Sequence, residues 1–158
     1  AQTRRLAAQA SLELAEQRLV DFRRIRLVKP LQKSLASKLR EMKRALKAFN
    51  AAIDYGVAPV TSSATYNVAS MYDELSQELR ASERPGNLTA EELAQYELLL
   101  EEQAAPFEQQ AIEIYTSNVR QASAGPFDHW SEKSRQRLDV LRPGWVEGVN
   151  TKLNPVKR

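Results

Sequence analysis

The chain has 158 residues, 42% of them apolar, and its 23 Lys and Arg against 20 Asp and Glu leave a net charge of +3. That is enough apolar material for one packed domain and too much for a disordered chain. With no Cys and a single His, disulfides, thiol chemistry, thiolate metal sites and His-based metal clusters are all excluded.

The first element is a helix over about Thr3 to Arg24. Leu6, Ala10, Leu14, Val20 and Phe22 form its apolar positions, Leu12 and Leu19 lie beside them, and Thr3 is placed to cap it. Pro30 interrupts, lacking an N–H and steering Lys29 away from helix, and suits the first turn of the next helix. There Leu31, Leu35, Leu39, Met42, Leu46, Phe49 and Ile53 recur every three or four residues, the pattern of an amphipathic helix that Gly56 then stops. Pro59 and Thr61 to Ser63 open a third helix, with Ala64, Val68, Met71, Tyr72, Leu75 and Leu79 as its stripe, ending before the turn Arg84-Pro85-Gly86-Asn87.

Thr89 and Glu92 form a capping box, and the fourth helix runs through Leu93, Tyr96, Leu100, Ala104, Phe107, Ala111, Ile114 and Tyr115 towards Ala122. Pro106 inside that run predicts a kink, not an end, because the apolar pattern resumes without turn residues. Gly125-Pro126 then predicts a fifth helix with Pro126 in its first turn and Phe127, Trp130, Leu138 and Leu141 on its buried side. Arg142-Pro143-Gly144 ends it. No stretch alternates like a strand, so the prediction is an all-α fold of five helices in antiparallel hairpins, a domain over 1–142 with a tail over 143–158. No run approaches the ~18 apolar residues of a membrane span. The start at Ala1, without Met or a signal peptide, reads as a segment of a longer protein.

The small net charge conceals a polarity. Residues 1–50 carry 13 basic and 4 acidic groups, residues 51–125 carry 3 and 12, and residues 126–158 carry 7 and 4. The expectation is that the basic N-terminal part packs beside the acidic middle. A nucleic-acid or anionic-lipid face needs cations interleaved with aromatics, and residues 1–50 offer only Phe22 and Phe49.

Ala45, Phe49 and Ala52 have the small-aromatic-small spacing of the second helix of a tetratricopeptide repeat (TPR), and Val68, Ala69, Tyr72 and Ala81 look like the first helix of a following one. Small residues let helices approach, and the aromatic fills the space between units. The period of roughly 34 residues is not kept into 87–125, which suggests the terminal end of an array. From Leu27 to Leu141 the chain resembles the C-terminal part of proteobacterial TPR envelope proteins. The most specific piece is SERPGNLTAEELAQYELLLEEQAAPFEQQAIEIY, with its ERP turn, YELLLEEQA run and mid-helix PFE. Such proteins accompany ExbB/TolQ/MotA-type proton-channel systems and gliding-motility machinery. The resemblance implies a non-catalytic scaffold, periplasmic or outer-membrane-associated, whose partners are other proteins of an envelope motor or transport complex. The Gly125 to Trp130 stretch and the basic tail depart from the family pattern.

Catalytic motifs are sparse. Asp128-His129 invites a general-base role, but adjacent helical residues point apart and no nucleophile motif accompanies them. Glu97 and Glu101 share a helix face without the Glu-x-x-His pattern of a di-metal site, and read as a solvated acidic face. No phosphate loop or nucleophile elbow occurs. Asn87-Leu88-Thr89 matches a glycosylation sequon, yet Thr89 is already explained as a cap. No catalytic, cofactor or metal residue is assigned. Candidate partner contacts are Tyr66, off its helix's apolar stripe, Trp145, in the tail, and Asn67 and Arg80, placed to line a groove. The expected function is a TPR-like protein-interaction scaffold. The alternative is a cytoplasmic helical adaptor or nucleic-acid-associated protein using the basic residues 1–50.

Overall fold

Proline, glycine and a few capping side chains divide the chain into five α-helices. The computed structural model describes residues 1–122, 125 and 127–144, and among them the helices are α1 (Gln2–Arg24), α2 (Leu31–Ile53), α3 (Ala58–Ala81), α4 (Ala90–Ala122) and α5 (His129–Leu141). Pro30, after a cis Lys29–Pro30 bond, is the N-cap of α2. Gly56 takes the left-handed φ of +66° and donates its N–H to the Ile53 carbonyl at 2.9 Å, closing α2 where a side-chain-bearing residue would be strained. Pro59 sits in the first turn of α3. At α4 the predicted capping box is reciprocal: the Glu92 N–H donates to Thr89 Oγ1 at 3.2 Å, and the Thr89 N–H donates to Glu92 Oε2 at 2.8 Å.

The fourth helix continues through Pro106 to Ala122. Pro106 has no N–H for the Glu102 carbonyl, but both residues are exposed and water can take the place of that bond. At α5 the prediction needs correction. The helix begins at His129, not at Gly125-Pro126, and its cap is Asp128, whose carboxylate accepts from the Ser131 N–H. Pro126 lies outside the described residues, and Phe127 is half exposed instead of buried.

A second correction concerns α1. Its N-cap is Ala1, with no side-chain bond, and Thr3 lies within the helix. The face it buries is Ala8, Leu12, Ala15, Leu19 and Phe22, while Leu6 and Leu14 are 64% and 69% exposed and Val20 is also exposed. At 100° per residue the two stripes lie on roughly opposite sides of the helix. The winning stripe is the one with alanines, because Ala8 and Ala15 let α1 approach its neighbours closely while Leu12, Leu19 and Phe22 fill the space between.

The same logic recurs through the molecule. Ala45, Phe49 and Ala52 are wholly buried, as are Ala64, Ala69, Ala104 and Ala111. Ala81, by contrast, is exposed at the end of α3. Helices α1 and α2 pack together, α3 packs on both, α4 packs along α3, and α5 closes against α3 and α4. The larger core joins α1, α2, α3 and the first half of α4 around Phe22, Met42, Phe49, Met71, Leu75 and Leu79. A smaller one gathers Ala69, Ala111, Ile112, Tyr115 and Leu138 between α3, α4 and α5.

Candidate interaction surface

Helix α3 touches each of the other four, and its polar residues sort by neighbour. Towards α5 it presents Asp73, almost fully buried. The Arg137 guanidinium grips that carboxylate with two hydrogen bonds, Nη2 to Oδ1 at 3.0 Å and Nε to Oδ2 at 2.5 Å. Gln77 donates to Asp73 Oδ1 at 2.6 Å and the Tyr115 hydroxyl donates to Oδ2 at 3.3 Å. Burial pushes the Tyr115 phenol well above its ordinary pKa, so it remains a donor, and the Asp73 hydrogen bonds hold Arg137 charged. Farther along the interface, Asn118 donates to the Ser62 carbonyl at 3.2 Å and to Ser134 Oγ at 2.9 Å. Ser62 Oγ donates to Asp128 Oδ1 at 2.9 Å. Helix α5 is therefore clasped at both ends, at Asp128 before its first turn and at Arg137 near its last.

Tyr66 stands on this α3–α5 seam. Its ring centroid is 5.3 Å from Trp130 and 5.8 Å from Tyr115, and the Lys133 ammonium lies 4.9 Å from the Tyr66 centroid and 5.2 Å from that of Trp130. The three side chains Tyr66, Trp130 and Lys133 form a partly exposed aromatic–cation cluster. The neighbouring Asn67 is 7% exposed and makes no side-chain hydrogen bond among the described residues, yet no wholly buried side-chain polar atom lacks a partner. Its amide therefore reaches solvent at the bottom of a small-residue strip that includes Ser63 and Ser70. An unsatisfied but wetted amide beside an aromatic cluster is suited to hydrogen-bonding an extended backbone.

Arg80 belongs elsewhere. It follows Tyr66 by fourteen residues, about 21 Å along the helix at 1.5 Å per residue. Its guanidinium is engaged by Glu101 at 2.7 Å and Glu108 at 3.0 Å on α4. Trp145 lies outside the described residues. Of the four candidates, then, Tyr66 and Asn67 are brought together, Arg80 joins an ion-pair ladder, and the residues that complete the surface, Trp130 and Lys133, come from a helix whose pairing with α3 no local spacing reveals.

Glu97 and Glu101 are each hydrogen-bonded by an arginine, Arg84 and Arg80, which holds both carboxyls below the usual range. His129 is exposed, its ring edge-on to Trp130 at 5.2 Å. Among the described residues no group of three or more His, Asp or Glu is arranged around a common metal position, and no helix is long and apolar enough to cross a membrane. No protein-family model matches the chain, and neither a curated protein nor a solved structure matches it.

Proposed function

We propose that the chain is a non-catalytic protein-interaction module, a TPR-like segment of an envelope scaffold that receives a partner segment on the face of α1, α3 and α5. The observation that carries this reading is the packing order. Helix α3 lies against α1 on one side and α5 on the other, while α2 and α4 fill the spaces behind. Successive helical hairpins stacked in this way leave one row of helices free to form a binding face. The buried Ala45-Phe49-Ala52 set supports it. The α1–α2 hairpin, spanning 2–53, is longer than the roughly 34-residue TPR unit, so the likeness is one of packing logic and not of repeat length. The envelope location, and the link to a motor or transport complex, rest on the sequence resemblance over 27–141.

Selection from a displayed library of short peptides tests the binding face. The expected result is enrichment of segments whose affinity falls at least ~10-fold on Tyr66→Ala and on Asn67→Asp, with Leu14→Gln as the unaffected control. Peptides insensitive to both α3 changes would overturn the assignment. Fractionation of the full-length protein tests the compartment, and a cytoplasmic protein overturns it.

A nucleic-acid surface on residues 1–50 has less support. Arg23, Lys29 and Lys38 are held by Glu74, Glu83 and Glu78 at 2.8, 3.1 and 3.1 Å. Binding to nonspecific DNA that weakens steeply with salt would revive it.

A further inference from the structure

Between α1 and α5, the face of α3 repeats one arrangement of side chains at an interval of seven residues, about two helical turns. The farther layer is closed by ion pairs: Glu74 holds Arg23 of α1 at 2.8 Å, and Asp73 holds Arg137 of α5. Seven residues before Glu74, Arg23, Asp73 and Arg137 stand Asn67, Glu16, Tyr66 and Trp130, which form the nearer layer. Its register is direct on the α5 side, where Tyr66 meets Trp130 at 5.3 Å. On the α1 side, Gln9 and Val60, seven residues before Glu16 and Asn67, line a common hollow.

The nearer layer is open. Glu16 is partly buried, and neither it nor Asn67 makes a side-chain hydrogen bond or ion pair among the described residues. On the opposite wall the Lys133 ammonium is held by the Tyr66 and Trp130 rings, 4.9 and 5.2 Å from their centroids, and no described carboxylate pairs with it. Its neighbours one turn away on α5 are His129 and Arg137, neither of them acidic. On the floor Ser63, 3% exposed, also lacks a side-chain hydrogen bond among the described residues. Like Asn67 it is wetted, since no wholly buried side-chain polar atom is without a partner.

The floor and the walls specify different parts of a ligand. A floor with free amide and hydroxyl groups suits a backbone whose own N–H and C=O groups are free, which an extended segment has and a helix does not. In an extended segment successive side chains point to opposite sides, so one lying along α3 sends one side chain to α1 and the next to α5. Lys133, three residues after Trp130, stands about two helical residues farther along α3 than Glu16. That is about 3 Å, one residue of an extended chain. We infer that this groove takes an extended segment of a partner protein in which a Lys or Arg, directed at Glu16, adjoins an Asp or Glu, directed at Lys133. This ligand presupposes the binding face proposed above and defines what that face selects.

The displayed library of short peptides tests it, with sequences read from selections on the wild-type chain and on two charge variants. Far-UV circular dichroism confirms that each variant stays helical, and each is read independently of the other. Segments that depend on Tyr66 and Asn67 should carry an adjacent basic and acidic pair. Glu16→Lys makes both walls cationic and should shift selection to two adjacent acidic residues. Lys133→Glu makes both walls anionic and should shift it to two adjacent basic ones. A peptide from the wild-type selection should lose at least ~10-fold in affinity for either variant. Segments that need Tyr66 and Asn67 but carry no such pair, or keep the same charge pattern on the variants, overturn this inference and leave the binding face standing. A selection that yields no segment dependent on Tyr66 and Asn67 overturns both.

Discussion

The ammonium of Lys38, 0% exposed between α1, α2 and α3, lies 3.1 Å from the Glu78 carboxylate of α3. It also donates to the carbonyls of Phe22 at 3.0 Å and Ile25 at 2.8 Å, and rests 4.1 Å from the Phe22 ring centroid. The last carbonyls of α1 have no intrahelical partner and carry the negative end of its dipole. One buried cation from α2 thus caps α1 and ties both helices to α3.

Replacing Lys38 by Met keeps the bulk and removes the donors. The Ile25 carbonyl loses its donor and the Phe22 carbonyl keeps only the Ile25 N–H, and the expected loss is about 2–3 kcal/mol in urea unfolding. Glu78→Gln leaves the buried ammonium with both carbonyls but without its counter-charge, and should cost about 3–5 kcal/mol. A loss of about 1 kcal/mol or less would show that the carbonyls alone satisfy the ammonium and that the helix cap, not the ion pair, dominates.

At the opposite interface the carboxylate is the buried partner. Arg137→Met leaves Asp73 charged and enclosed, and should destabilise by about 3–5 kcal/mol. Adding Asp73→Leu to that variant should recover part of the loss, because an apolar pair of similar size carries no unpaired charge. Urea midpoints of the two single changes and the double give the coupling, expected at about 0.5–3 kcal/mol. Strict additivity would mean that Tyr115 and Gln77 alone satisfy Asp73.

These two clasps mark where sequence reasoning stops. Helix ends were legible because they depend on local chemistry: Gly56 needs its positive φ, and Thr89 and Glu92 are three residues apart. Tyr66 was recognisable as a side chain off an apolar stripe, and Asn67 as a residue placed to line a groove. Lys38 and Asp73 carry no such local signal, because nothing near them in sequence encodes the carbonyls of Phe22 and Ile25 or the guanidinium of Arg137. In α1, two apolar stripes compete, and the choice between them depends on which helices must approach closely. The apolar residues of α2 form one stripe in sequence, but in space Met42 and Phe49 enter the core while Leu31, Leu35 and Leu39 stay partly buried. The polarity of charge along the chain did foreshadow the cross-helix pairs of Arg23, Lys29 and Lys38 with acidic residues of the middle segment.

The orientation of α1 yields a direct contrast. Leu6→Gln and Leu14→Gln change exposed positions and should each shift stability by no more than about 0.5 kcal/mol. Leu12→Ala, on the buried face, should cost about 2–5 kcal/mol by removing packed methyl groups and leaving a cavity. Thermal and urea unfolding of the three variants decide it. If Leu6 and Leu14 prove the costly positions in the isolated monomer, α1 is rotated relative to this structure.

Asp128 connects the docking of α5 to pH. Burial raises the cost of its charge, but the Ser131 N–H and the hydroxyls of Ser62 and Ser131 more than offset it, and the carboxyl is held below the usual value of 3.8. The folded pKa is therefore below the unfolded one. Asp128 contributes stability above the unfolded value, and that contribution is lost as pH falls through the folded value. Asp128→Ala should remove about 1 kcal/mol at neutral pH, the usual cost of losing a helix N-cap. Asp128→Asn keeps an acceptor for the Ser131 N–H but cannot titrate, so its stability should fall less steeply than that of the wild type at acid pH. Other carboxyls, Glu132 among them, are also held low by their partners, and the difference between wild type and Asp128→Asn isolates the contribution of the cap. Trp130 fluorescence in a Trp145→Phe background reports the docking of α5 directly. Identical acid profiles for the two proteins would show that Asp128 does not couple α5 to protonation.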